Sequence, residues 1–121
     1  MRAARGAVLA LLTVATVAAG AAAHSFLEGA EPRPGSTVKT APAEVRLRFT
    51  ERLEAAFSTV HVTDGGGKRV DRGEAQLEAR APKRLRVPLL PIGAGRYTVK
   101  WRVLSVDSHI VEGEFAFRLA P

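Results

Sequence analysis

The sequence predicts an all-β domain, built as an antiparallel Greek-key sandwich or barrel. Three observations lead there. Apolar residues recur at every second position in short runs, the period of a half-buried strand. After the N-terminal leader, no stretch carries the spacing of an amphipathic helix. Turn residues interrupt the runs at short and even intervals, as they do in strand-dense antiparallel folds.

Taken in order, Pro32-Arg33-Pro34-Gly35-Ser36 is a rigid break, and Ala41-Pro42-Ala43 introduces the first clear strand. There Val45, Leu47 and Phe49 share one face, with Glu44, Arg46, Arg48 and Thr50 on the other. Val60 and Val62 form a second apolar edge, and Asp64-Gly65-Gly66-Gly67 is a hairpin-type loop. The charged segment Asp71 to Ala81 reads either as a strand with Ala75, Leu77 and Ala79 inward or as a short helix. Leu85 and Val87 alternate with Arg84 and Arg86. Pro88, Pro91, Gly93 and Gly95 punctuate the approach to the longest runs. In these, Tyr97, Val99, Trp101 and Val103 alternate with Thr98, Lys100 and Arg102, and Phe115, Phe117 and Leu119 alternate with Glu114, Ala116 and Arg118. Each strand has one wet face.

The first residues read differently. Arg2 and Arg5 make a positive start, Ala7 to Ala19 is apolar apart from Thr13 and Thr16, and Ala21-Ala22-Ala23 offers small residues for cleavage. That order is a secretory signal peptide, and the apolar run is short for a membrane span. The expectation is a leader over 1–23 and one soluble, exported domain over 24–121. Removing Arg2 and Arg5 lowers the formal charge of +6 by two. The remaining basic residues are scattered along wet strand faces without interleaved aromatics, so nucleic-acid binding is not expected. The cysteine count is zero, so no disulfide aids a domain of this size.

The chemistry-bearing inventory is short. Beyond the leader there are three histidines, His24, His61 and His109, no cysteine and no methionine. Sulfur-rich copper(I), zinc-finger and iron–sulfur sites are therefore disfavoured, while nitrogen and carboxylate donors suit tetragonal copper(II). If cleavage follows Ala23, His24 becomes the N-terminal residue and offers its α-amine and its ring Nδ1 to one metal. Asp107 and His109 lie two apart, a spacing that projects both to one face of an extended chain. Amine, His24 ring, Asp107 and His109 make four donors. The residues alone also accommodate a chance histidine after the leader and a surface hydrogen-bonded Asp–His pair. His61 falls on the face opposite Val60 and Val62 and reads as a solvent-facing histidine rather than a ligand. Glu51 is a candidate to orient a histidine ring by accepting its remaining N–H.

Several stretches together resemble the CopC family of periplasmic copper-resistance proteins. They are the histidine after Ala-Ala-Ala, Glu31-Pro32-Arg33-Pro34-Gly35-Ser36, the run Ala41 to Glu51, and Ala56-Phe57-Ser58. The likeness continues through Gly95 to Val103, Asp107-Ser108-His109, Gly113 and Phe115-Ala116-Phe117, and so spans the whole predicted mature chain. The resemblance implies a seven-stranded Greek-key β-barrel or sandwich, Ig-like in layout, behind a cleaved signal peptide. It implies a copper(II) site, one per chain, from His24, Asp107 and His109, with Glu51 nearby. Members with an additional copper(I) site carry a methionine-rich loop, and the corresponding stretch here, Lys68 to Ala81, holds no methionine. Ile110 replaces the proline usual in the family.

The expected role is periplasmic copper sequestration, resistance or delivery, without turnover, by a monomer that passes copper to a CopD-type inner-membrane copper transporter. Two rivals are a histidine-brace copper monooxygenase and a metal-free Ig-like interaction domain. A further variant keeps copper but moves cleavage to Ala21, leaving Ala22-Ala23-His24, whose amine, amides and imidazole fill the copper plane without Asp107 or His109.

Overall fold

The computed structural model describes Ala3, Gly6, residues 27–78 and residues 80–121. Apart from Ala3 and Gly6, the expected signal peptide lies outside the described residues, as does His24. From Leu27 on, the alternating runs become eight strands: β1 (Leu27–Glu31), β2 (Thr37–Val38), β3 (Glu44–Phe49), β4 (Thr59–Thr63), β5 (Gln76–Glu78), β6 (Ala81–Pro88), β7 (Gly95–Leu104) and β8 (Ile110–Leu119). Among the described residues the one helical piece is a 3₁₀ turn at Ala55–Phe57.

The strands form two four-stranded sheets, ordered β1-β3-β6-β5 and β2-β8-β7-β4. The chain crosses between the sheets after β1, β2, β3, β4 and β6, which gives the Greek-key, Ig-like sandwich. The strand count is one higher than seven because the two-residue β2 pairs in parallel with the end of β8, Thr37 beside Arg118 and Val38 beside Leu119. The ambiguous 71–81 segment takes the strand alternative: β5 pairs with β6, Gln76 opposite Arg86 and Leu77 opposite Leu85. Leu77 and Ala75 pack against the core. β1 has no alternating run to announce it, because a register shift between Leu27 and Gly29 breaks the period.

The apolar positions fill the space between the sheets. Val45, Leu47, Phe49, Leu85 and Val87 from the first sheet meet Val60, Val62, Val99, Trp101, Val103, Phe115, Phe117 and Leu119 from the second. Each such side chain contributes about 1.5–3 kcal/mol on leaving water, which is how a chain without disulfides holds a core. Trp101 sits edge-on to Phe49, with centroids 6.3 Å apart, and tilted against Phe115 at 5.9 Å. Its ring fills the place where a side chain at residue 113 would stand, so Gly113 is required opposite it. One buried carboxylate ties the sheets' periphery. Asp71 accepts the Val62 N–H at 2.9 Å and the Arg69 guanidinium at 2.6 Å.

Candidate metal centre

β7 and β8 are joined by Ser105-Val106-Asp107-Ser108-His109, and Leu104 pairs with Ile110 at the mouth of this connection. The chain reverses there as a tight turn. Ser108 N–H donates to the Ser105 carbonyl at 3.0 Å, Ser105 N–H donates to the His109 carbonyl at 2.9 Å, and Ser108 takes a φ of 72°. Asp107 and His109 are thus on a turn and not on an extended strand. The same-face projection expected of an extended chain is therefore not what pairs them. They meet because the turn folds them together, with His109 Nδ1 3.2 Å from Asp107 Oδ2.

The turn is held from below by Ser105, which is 1% exposed. Its hydroxyl donates to Asp107 Oδ1 and accepts the His109 backbone N–H at 3.2 Å. That hydroxyl, the largest influence, together with the His109 ring holds the Asp107 carboxyl below the usual carboxylate range and outweighs the opposing effect of burial. Asp107 is therefore an anion with one oxygen anchored to the protein and the other beside the imidazole. Both side chains face solvent, 52% exposed for Asp107 and 76% for His109. Sequence reasoning did not single out Ser105, although the Ser-x-Asp-x-His order carried the signal: a hydroxyl two residues before a carboxylate on a turn can reach it.

The pair sits at a built-up end of the sandwich. Val106 N–H donates to the Arg52 carbonyl at 2.9 Å, and Glu54 N–H to the Leu104 carbonyl at 2.8 Å, so residues 52–54 run beside the turn. Leu53 bridges Ser105. Glu51 is exposed next to this contact, but no hydrogen bond or ion pair among the described residues joins it to Asp107 or His109. β1 begins at Leu27 opposite Phe49, so the chain enters its sheet at the end from which residues 50–54 lead to the Asp107 turn. His61 lies on β4 opposite Lys100, exposed on the outer sheet face, away from this end.

A carboxylate and an imidazole 3.2 Å apart, both exposed and one rigidly anchored, form two adjacent donors for a borderline metal ion such as copper(II). Among the described residues no third His, Cys, Asp or Glu completes a cluster with them. Two protein donors leave open positions in a square plane, and further donors must come from elsewhere in the chain or from solvent. No helix among the described residues is long and apolar enough to cross a membrane.

The two four-stranded sheets define the class as a Greek-key β-sandwich, and comparison with known families assigns it. The CopC domain family matches residues 27–120, and the chain belongs to that family, whose members are copper-binding and copper-resistance proteins and not enzymes. Membership sets aside the oxidative-enzyme reading. Among its relatives, protein YobA of Escherichia coli K12 is 34% identical over 110 residues, covering 90% of this chain and 89% of that protein. Copper resistance protein C of Escherichia coli is 33% identical over 108 residues, covering 84% and 85%. The crystal structure of CopC from Methylosinus trichosporium OB3b superposes with a TM-score of 0.75 at 40% identity, covering 81% of this chain and 95% of that one.

Proposed function

We propose that the chain, exported to the periplasm and cleaved after Ala23, binds one copper(II) ion per monomer and holds it for resistance or for delivery to a CopD-type inner-membrane transporter. The donors are the His24 α-amine and ring, Asp107 and His109. The observation that carries this reading is the anchored, exposed Asp107–His109 pair at the end of the sandwich where β1 enters. A relative bearing the name copper resistance protein C supports copper as the cargo. The donor chemistry supports the oxidation state: beyond the initiator the chain has no methionine, and it has no cysteine, so imidazole, amine and carboxylate remain.

The residues act by binding and release alone. Asp107 stays ionised through the neutral and mildly acidic range because Ser105 and His109 hold its proton affinity down. The imidazoles and the α-amine, whose ordinary pKa is about 7.7–8, must shed protons to bind, so acid favours release. Glu51 is assigned the role of steadying a histidine ring from the neighbouring loop.

The test is copper(II) titration of the exported protein after its N-terminal mass is measured. One equivalent should bind, His109→Ala and Asp107→Ala should each weaken binding at least about tenfold, and His61→Ala should not. A mass showing Ala22 at the N-terminus, with affinity indifferent to Asp107 and His109, would replace this site with the Ala22-Ala23-His24 alternative.

A further inference from the structure

The two outer sheet faces differ in how far their cations are matched by carboxylates. On the β7–β8 face, Lys100 faces Glu114 at 3.8 Å and Arg102 faces Glu112 at 3.5 Å, and a single like-charge pair, Arg96 opposite Arg118, stands toward the far end of the strands. On the other face, β3 and β6 set cations against cations. Arg46 stands opposite Arg86, and Arg48 opposite Arg84, in a two-by-two block at the centre of the sheet. Like charges in direct register destabilise a sheet, so this arrangement is not one that folding alone selects.

Carboxylates at the margin answer only part of it. Glu44 binds Arg46 at 2.6 Å, Glu28 lies 3.5 Å from Arg48, and Glu78 lies 3.9 Å from Arg84. Glu31 stands opposite Arg46, with Arg33 beside it. Arg86 forms no ion pair among the described residues, with Arg46 on one side and Gln76 on the other. The block then runs on toward the metal-binding end, where Arg52, Arg80 and Lys83 line one cleft with Arg48 and Arg84. The face thus holds eight cations against four carboxylates. Without Arg2 and Arg5, 16 of the 18 basic residues remain and exceed the 12 acidic ones by four, and this face holds that excess.

A positive face beside a cation-binding end repels the cargo, so its use lies with an anionic partner. We infer that the β3–β6 face docks the protein on an anionic phospholipid surface. Three features favour a bilayer over an acidic protein. The face is a broad sheet surface, and the Arg48 guanidinium lies across it, over Gly29. Seven of the eight cations are arginines, whose planar forks match phosphate oxygens. The outward positions on β3 and β6 hold no aromatic or large aliphatic anchor of the kind that centres a protein–protein interface. The inference rests on surface charge and does not depend on which residues bind copper.

The experiment measures co-sedimentation of the processed, exported protein with phosphatidylcholine vesicles, with and without phosphatidylglycerol. The protein should bind the anionic vesicles, ignore the neutral ones, and be released by raised salt. The double variant Arg84→Glu, Arg86→Glu should bind at least about tenfold more weakly, since each basic residue near such a surface counts about fivefold. Its melting temperature should stay close to that of the wild type: Arg86→Glu gains an ion pair with Arg46, while Arg84→Glu gains one with Arg48 and loses the one with Glu78, and exposed pairs of this kind each contribute little. The charge-matched variant Lys39→Glu, Lys68→Glu, at exposed positions off this face, should keep most of the binding. Failure of the wild type to bind anionic vesicles overturns the inference. So does equal loss in the two double variants, or binding to soluble polyglutamate in place of vesicles.

Discussion

Ser105→Ala is the most informative single change to the proposed copper site. It removes one oxygen, and with it the donor to Asp107 Oδ1 and the acceptor of the His109 N–H. Loss of a partner that orients a metal ligand costs about 10–100-fold in metal affinity. Here Asp107 is 52% exposed, so water replaces part of what the hydroxyl supplied, and the low end applies: about tenfold weaker copper(II) binding. The fold should survive. Ser105 N–H still donates to the His109 carbonyl and Val106 N–H to the Arg52 carbonyl. The lost His109 N–H bond contributes about 1 kcal/mol, or roughly 4–8 °C in Tm for a domain of this size. The assay is competition with a chelator of known copper(II) affinity, run beside thermal melts and electron paramagnetic resonance of the copper-loaded protein. Ser105→Thr keeps the hydroxyl and should restore most of the affinity and the wild-type spectrum. If Ser105→Ala binds copper as tightly as the wild type with an unchanged spectrum, the anchoring of Asp107 by Ser105 has no part in binding.

Two further outcomes follow from the buried structure. Burial pushes the Asp71 carboxyl up, but the Arg69 guanidinium and the Val62 N–H outweigh it and hold it below the usual range. The stability it lends is complete above the ordinary carboxylate pKa and fades as pH falls through the lower folded value, so melting temperature should drop below about pH 4. Asp71→Asn should flatten that drop, and Asp71→Ala, which orphans the Val62 N–H, should cost about 2 kcal/mol at neutral pH in a denaturant titration. Gly113→Ala would place a methyl 2.7 Å from Trp101 Cη2 and 2.8 Å from Cε2, with Cζ2 closer still. The ring is wedged between Phe49 and Phe115, so the expected loss is about 1–3 kcal/mol or more, read as a lowered urea midpoint; an unchanged midpoint would mean that the ring moves freely.

The long strands were legible because their period is local. Val45-Arg46-Leu47-Arg48-Phe49 and Tyr97 to Val103 present one apolar and one polar face whatever they pack against, and those faces are the observed ones. Two segments were not legible. β1 carries a register shift and a glycine, and β5 is three residues long, too short for a period to appear; both become strands because β3 and β6 offer them ladder partners. The alternation also marked His61 correctly as an outward residue.

The sequence by itself determined the inventory of side-chain donors: imidazoles and carboxylates, with no sulfur beyond the initiator methionine, because that follows from composition alone. It also determined which side of each long strand is wet. Tertiary structure decided how two of the proposed donors are held. Asp107 and His109 come together through a turn closed by backbone hydrogen bonds and pinned by a buried serine hydroxyl, a geometry that residue spacing does not encode. It decided, too, that Arg46 faces Arg86 while Lys100 faces Glu114. Strand register is a long-range property, set by which runs pair, and the same alternation of arginine with aliphatic residues fits either arrangement.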